Sequence, residues 1–317
     1  MLPTLSDIES ARQRIGGSAI RTPLVRLNAL DTPAEIYLKL ETLQPINSFK
    51  IRGAYNAMAL APPDELAAGV LTTSAGNMAQ GVGWAARELG IPFTVIVPDH
   101  APDTKLAAIE RLGGTFVKVP FDRWWQALEE RSYPGVEGFF VHPVEDEPVM
   151  AGNGTIGLEI LEDLPDVDTI IVPWGGGGLF TGIASAVKAL RPETSMRVVE
   201  LETSAPLTAS VAAGEPREID YKPSFVDGAG ARAILPKMWG LGRPLLDGTD
   251  VVTLDETAAA VRLLAERVRV VAEGAGALAV ASALSGRAGR ANKVVAIVSG
   301  GNIDSSVLRT ILAGKTP

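Results

Sequence analysis

The chain has 317 residues, 46% of them hydrophobic, with 37 acidic against 29 basic side chains and a formal net charge of −8. That length suits two α/β domains of ordinary size or one large one, and the acidic balance argues against a nucleic-acid surface, which needs a basic face. Cysteine is absent and His100 and His142 are the only histidines, which excludes disulfides, thiolate catalysis and Cys-ligated metals and leaves little for a histidine-based metal site or a Ser-His-Asp triad.

The opening MLPTLSDIESARQRI has no basic segment followed by an apolar run, so no secretory signal is expected. Ser6-Asp7-Ile8-Glu9 fits a capping box with Ser6 as N-cap. Strand-like TPLVRL (22–27) and EIYLKLE (35–41) follow, then a helix over 52–60 and a Pro-rich hinge, APPDELAAG (61–69). From there strands and helices alternate: VLTTS (70–74), a helix over 79–90, FTVIVP (93–98), a helix over 103–113, TFVKVP (115–120), a helix over 124–131 and FFVHP (139–143). After residue 150 the pattern resumes with a helix over 154–164, TIIVPW (169–174), a helix over 179–190 and MRVVELE (196–202). Helices over 256–269 and 275–285, the strand KVVAIV (293–298) and a final helix complete it. Alternation of this kind means βαβ units and parallel sheets. No stretch of about 18 uninterrupted apolar residues occurs, so no membrane span is expected. A cytoplasmic protein fits, with chemistry drawn from Lys, Ser, carboxylates or a cofactor.

In open α/β sheets, ligands sit beyond the carboxyl ends of strands. Four loops there are polar or glycine-rich: SFK (48–50), SAGN (74–77), GGGG (175–178) and SGGN (299–302). The four glycines follow a strand and open a helix. Lacking Cβ atoms, they let backbone N–H groups converge on an anion, and the helix N-terminus adds its positive end. This makes a phosphate cradle. A dinucleotide is the rival ligand, since Glu200 lies downstream at a distance suited to a ribose contact. However, Phe180 and Thr181 occupy the third-glycine positions of a G-x-G-x-x-G pattern, and no P-loop pattern occurs. A phosphate cradle together with Lys50 points to pyridoxal phosphate, whose aldehyde needs an amine. Phe49 suits a place over the ring, Asn77 a bond to its phenolic oxygen and Ser299 one to its pyridine nitrogen. Each serine or asparagine alone would be a cap or turn residue. The four loops together argue for a site.

These loops, in this order, resemble those of the fold-type II pyridoxal-phosphate enzymes, and within them the threonine/serine dehydratases and serine racemases. The resemblance covers RTPL (21–24), SFKIRGA (48–54), SAGNMAQG (74–81), HPVEDEPVMAGNGTIGLEI (142–160), GGGGL (175–179), AEGAGA (272–277) and SGGN (299–302). It implies two open twisted α/β domains of the tryptophan synthase β-subunit-like architecture, with the cofactor in the cleft between them. Residues 1–65 and 148–317 would form the large domain, and 66–147 the small mobile domain carrying the SAGN loop. The resemblance further implies Lys50 as Schiff-base lysine and general base, with Phe49 beside the ring and Asn77 at the phenolic oxygen. Gly175, Gly176, Gly177, Gly178 and Leu179 would hold the phosphate, and Ser299 would meet the pyridine nitrogen. Ser74, Ala75, Gly76, Asn77 and Met78 would receive the substrate carboxylate. The implied reaction is loss of water from a 3-hydroxy amino acid, giving a 2-oxo acid and ammonia, carried out by a homodimer.

Three departures qualify the match. Racemases of the family place a serine where this chain has Ala75, which has no exchangeable proton, so a racemase or epimerase is disfavoured. The histidine that usually follows the asparagine is Met78. Members that bind a divalent cation use a Glu and an acidic side chain six residues on; Glu200 fits, but Pro206 offers no carboxylate, so no metal is expected. A non-catalytic phosphate- or cofactor-binding protein is the alternative outside the enzymes, and Lys50 argues against it.

Overall fold

The structure is a computed structural model that describes residues 1–29, 32, 34–287 and 291–317. Helix α1 (Leu5–Ile15) buries Ile8, Ala11 and Ile15 at helical intervals. Its cap is Thr4 rather than the expected Ser6. The Asp7 amide donates to Thr4 Oγ1 at 3.2 Å, and the Thr4 amide donates to the Asp7 carboxylate at 2.8 Å. Both tetrads fit the box pattern, and the earlier start adds Leu5 to the apolar cluster around Ile8.

Strand β1 (Leu24–Arg26) runs antiparallel to β2 (Glu35–Leu40), and α2 (Lys50–Leu60) follows. The APPDELAAG segment holds a helical turn, α3 (Pro63–Leu66), because Pro63 at its first position presets φ for a helix. Next come β3 (Val70–Thr73), α4 (Asn77–Leu89), β4 (Phe93–Pro98), α5 (Asp103–Arg111), β5 (Thr115–Val119), α6 (Phe121–Glu130) and β6 (Phe139–Phe140). Their four strands form a parallel sheet in the order β5-β4-β3-β6.

The rest of the chain supplies α7 (Glu147–Asp163), β7 (Thr169–Pro173), α8 (Gly178–Leu190), β8 (Ser195–Leu201), α9 (Pro206–Ala213) and α10 (Pro236–Gly242). It continues through β9 (Gly248–Val252), α11 (Leu254–Leu263), α12 (Gly274–Leu284), β10 (Lys293–Val298) and α13 (Ser305–Leu312). Helices α9 and α10 and strand β9 are not among the elements expected from the sequence. The last is short and half polar, yet it pairs with β8 from Gly248 to Val252, and its buried Asp250 accepts from Arg197 and from Ser282 Oγ.

The second sheet runs β1-β2-β10-β7-β8-β9, and all its pairings except β1–β2 are parallel. Apolar clusters cover both faces, as a parallel sheet requires: Leu38, Leu278 and Val294 belong to one, Ile170, Phe180 and Val198 to the other. From β7 the chain steps outward to β8 and β9, while β10 lies on the other side of β7. The strand order therefore reverses between β7 and β10, and a ligand crevice is expected beyond their carboxyl ends. Helices α7 and α8 approach backbone to backbone there. A Cβ at Gly182 would lie 2.3 Å from the Met150 carbonyl oxygen, so this crossing holds the start of α8 in place.

Candidate active site

Lys50 opens α2, and the loop before it is tied to the loop after β10. The Phe49 amide donates to the Ser299 carbonyl at 3.1 Å, the Gly301 amide donates to the Asn47 carbonyl at 2.8 Å, and Ser48 bridges to Gly300. Asn47 turns the chain with a φ of 55°, a left-handed value that asparagine tolerates better than most residues. The Lys50 ammonium donates to the Pro143 carbonyl at 2.7 Å and lies 5.2 Å from the centre of the Phe49 ring. Burial brings this amine down to about 8. His142 shapes the turn that offers Pro143: its Nδ1 accepts from the Val144 and Glu145 amides at 3.1 and 2.9 Å. Burial, reinforced by Arg131 and Lys50, drives its imidazole to about 3, so it is neutral.

The glycine loop follows β7 and leads into α8. No side chain caps this helix, whose N-cap is Gly177. Gly177 has a φ of 95°, and a Cβ there would lie 2.6 Å from the Trp174 indole. A Cβ at Gly176 would lie 2.4 Å from Val144 Cγ2. Bare backbone is thus a steric requirement, and the first N–H groups of α8 remain for a ligand.

Asn77 opens α4 and is held by two partners. Its Nδ2 donates to Glu273 Oε1 at 2.7 Å, and its Oδ1 accepts from Asn302 Nδ2 at 2.7 Å. Asn302 also donates to the Ile46 carbonyl at 2.9 Å, so this amide chain joins the loops that follow β2, β3 and β10. Glu273, at the start of α12, is pushed up to about 7 by burial and then by Asp227. Ser299 is buried, and among the described residues its hydroxyl makes only a 3.5 Å contact with the Ala275 carbonyl, which leaves it available to another acceptor or donor. Ser74 Oγ accepts from the Gly76 amide at 3.3 Å, a turn contact. The Met78 side chain is 1% exposed in the core of the small sheet, so from that residue the backbone is what a ligand can meet.

These residues surround one cavity of about 830 Å³, lined by Phe49, Lys50, Ser74, Ala75, Gly76, Asn77, Met78, Gly175, Gly176, Gly177, Gly178, Leu179 and Ser299. The structure brings every expected residue to this cavity. Glu273, Asn302 and the Pro143 carbonyl are additions. The first two lie in AEGAGA and SGGN, motifs the sequence displays without indicating which atoms would meet. Glu200 lies elsewhere in function: its carboxylate accepts from the Leu207 amide at 2.8 Å and from the Thr208 amide and hydroxyl at 2.7 Å each, capping α9. Burial pushes it up to about 7. Among the described residues, no three His, Cys, Asp or Glu side chains converge on a metal-sized position. No helix among them is long and apolar enough to cross a membrane.

The family model described as "Pyridoxal-phosphate dependent enzyme" matches residues 16–300. The chain is 40% identical over 316 residues to an L-threonine ammonia-lyase of Thermotoga maritima, covering 98% of this chain and 78% of that one. It is 39% identical to the catabolic L-threonine dehydratase of Escherichia coli, covering 95% and 94%. Among solved structures, maize serine racemase superposes with a TM-score of 0.91 at 30% identity, covering 99% of this chain and 98% of that one. A threonine deaminase from Solanum lycopersicum superposes with a TM-score of 0.88 at 33% identity, covering 98% and 92%.

Proposed function

Because the chain belongs to the pyridoxal-phosphate dependent enzyme family, we propose that its cleft removes water from L-threonine or L-serine, giving a 2-oxo acid and ammonia. The observation that carries this reading is the meeting, in one cavity, of a lysine held near 8 and a glycine cradle at a helix N-terminus. Similarity over nearly the whole chain to a threonine ammonia-lyase and a threonine dehydratase supports the choice of reaction.

The residues fit pyridoxal phosphate. The bare, uncapped start of α8 suits an anion, so Gly175 to Gly178 and Leu179 would hold its phosphate. Bound, the cofactor supplies an aldehyde for an amine and a conjugated ring that takes up the electron pair left at the substrate's α-carbon. Lys50 would hold the cofactor and, once released as a neutral amine, take the α-proton. Its low affinity for a proton suits both roles. Asn77, with one amide hydrogen on Glu273, keeps its second for the ring oxygen. Ser299 would meet the ring nitrogen with a hydroxyl, which cannot hold a positive charge there as a carboxylate would. The loop from Ser74 to Met78 would bind the substrate carboxylate with backbone N–H groups. Ala75 has no proton to give to the opposite face of the substrate, so elimination is favoured over racemisation.

We divide the chain into a large domain (1–65 and 148–317) and a small mobile one (66–147), supported by the separate sheets. Its proposed working form is a cytoplasmic homodimer. Sedimentation velocity and cell fractionation test the two statements. The function itself is tested by measuring 2-oxo acid release from a panel of 3-hydroxy amino acids. Release from L-threonine or L-serine is expected, and its absence across the whole panel would overturn the reading.

A further inference from the structure

Helix α2 carries a second cation, Arg52, whose surroundings the reaction does not explain. Residues two apart on a helix project to nearly opposite sides, so Lys50 faces the cavity and Arg52 faces away. Arg52 meets two carboxylates at once. Its Nε and Nη2 donate to Glu41 at 2.8 Å each, and its Nη1 and Nη2 donate to Glu159 at 2.6 and 2.9 Å. Thr155 Oγ1 and the Ile20 carbonyl accept further bonds at 3.0 and 3.2 Å. Lys39 brings the balancing cation, donating to Glu159 at 2.5 Å and to the Thr22 carbonyl at 2.7 Å. All four charged side chains are at most 6% exposed.

Stability alone is a poor account of such a cluster, because desolvating four charges offsets much of their attraction. Direction is the better account, since a planar guanidinium fork fixes angle as well as distance. Glu41 follows β2, Glu159 lies on α7 and Ile20 precedes β1, so Arg52 ties the first turn of α2 to the large-sheet side from three directions. The opposite side of α2 meets α4 through plain contact: a Cβ at Gly81 would lie 3.0 Å from the Lys50 carbonyl oxygen. Held by forks on one side, the helix keeps its rotational setting when the contact on the other side shifts. We propose that Arg52, through Glu41 and Glu159, is the positioning residue that aims Lys50 at the cavity. This rests on the reading of Lys50 as the lysine that holds the cofactor.

The test uses the full chain, stripped of cofactor and reloaded with pyridoxal phosphate. At intervals borohydride fixes the cofactor to its lysine, and peptide mass mapping locates it; KM, kcat and the thermal midpoint are measured alongside. Arg52→Lys keeps the charge and loses the fork. Glu159→Gln keeps the shape, and Lys39, whose charge burial already disfavours, can release its proton to restore neutrality. In both variants Lys50 is expected to label at least about 10-fold more slowly, with kcat for L-threonine lowered about 10- to 100-fold and KM within about 3-fold, as for a misplaced reacting group. Lys39→Met disturbs the same cluster without touching α2; it should lower the thermal midpoint and leave labelling and kcat within about 3-fold. Should Arg52→Lys not fold, Glu159→Gln decides. Unchanged labelling and kcat in a folded fork variant overturn the proposal, as does an equal loss of both in Lys39→Met, which would make the cluster a stability element. No label on Lys50 in the unaltered chain would instead overturn the reading of Lys50.

Discussion

Lys50 is flanked on one side by an aromatic ring and on the other by a carbonyl, with no anion among the described residues to hold its charge. Lys50→Ala is therefore expected to abolish 2-oxo acid release and the visible absorption of the cofactor-loaded protein, while far-UV circular dichroism stays unchanged. Retained activity in that variant would sink the assignment. Glu273 gives a pH prediction. Its folded value of about 7 exceeds the ordinary 4.5, so between these the folded chain holds a proton that the unfolded chain has lost. Stability from this residue is therefore full below about 4.5 and is lost as pH rises through 7. Glu273→Gln removes that slope. Relative to the parent, it should gain at most roughly 2–3 kcal/mol at pH 8 over pH 5, measured by urea unfolding. Lys50 and Asn77 were legible because each sits in a short polar loop between a strand and a helix. The partnership of Asn77 with Glu273 and Asn302 was not, because it joins positions far apart in the chain that only the folded sheets bring together.

The elements themselves follow from periodicity, and the misreadings have local causes. Two overlapping capping tetrads cannot be ranked until packing favours Leu5, and β9 is recognisable only through its partner β8, since half of GTDVV is polar. The glycine loop read as a phosphate cradle, but its reason for being bare was hidden: the obstructing atoms belong to Trp174 and to Val144, the latter on a distant turn. Gly177→Ala should consequently do more than remove flexibility. A left-handed φ and a clash with the indole together should cost about 1–3 kcal/mol of stability and weaken retention of pyridoxal phosphate. Thermal unfolding with and without added cofactor measures both, and an unchanged dissociation constant would count against the cradle.

At the scale of the whole molecule, the site is divided between two sheets: α2 packs on α4 in one apolar cluster, Ala54 and Met58 with Met78, Val82 and Ala85, while polar contacts also span the cleft. Lys105 on α5 pairs with Asp227, and Thr104 Oγ1 donates to Asp304 at 3.3 Å. Exposed pairs of this kind are worth little, about 0–1 kcal/mol, so binding energy can readily reset them. A threonine analogue is expected to draw the small unit toward the large one and lower the radius of gyration in small-angle scattering; identical profiles with and without analogue would rule this out. The two-sheet plan was legible from strand–helix alternation, whereas the sharing of one sheet by distant parts of the chain was not, because strand order depends on pairing partners that periodicity does not name. That sharing has a consequence during synthesis. β2 pairs in register with β10, from Glu35 with Lys293 to Leu40 with Val298. At ribosomal speeds β2 emerges roughly 13–50 s before its partner, and for that interval the nascent chain carries a hairpin with one open, apolar edge. Residues 66–147, contiguous in the chain, have their strand partners at hand much sooner. Ribosome-bound chains arrested before Lys293 should therefore be cut by protease around β2 while this segment resists. Equal sensitivity throughout would mean that the molecule assembles in a single late step, with no part sheltered while the ribosome finishes its work.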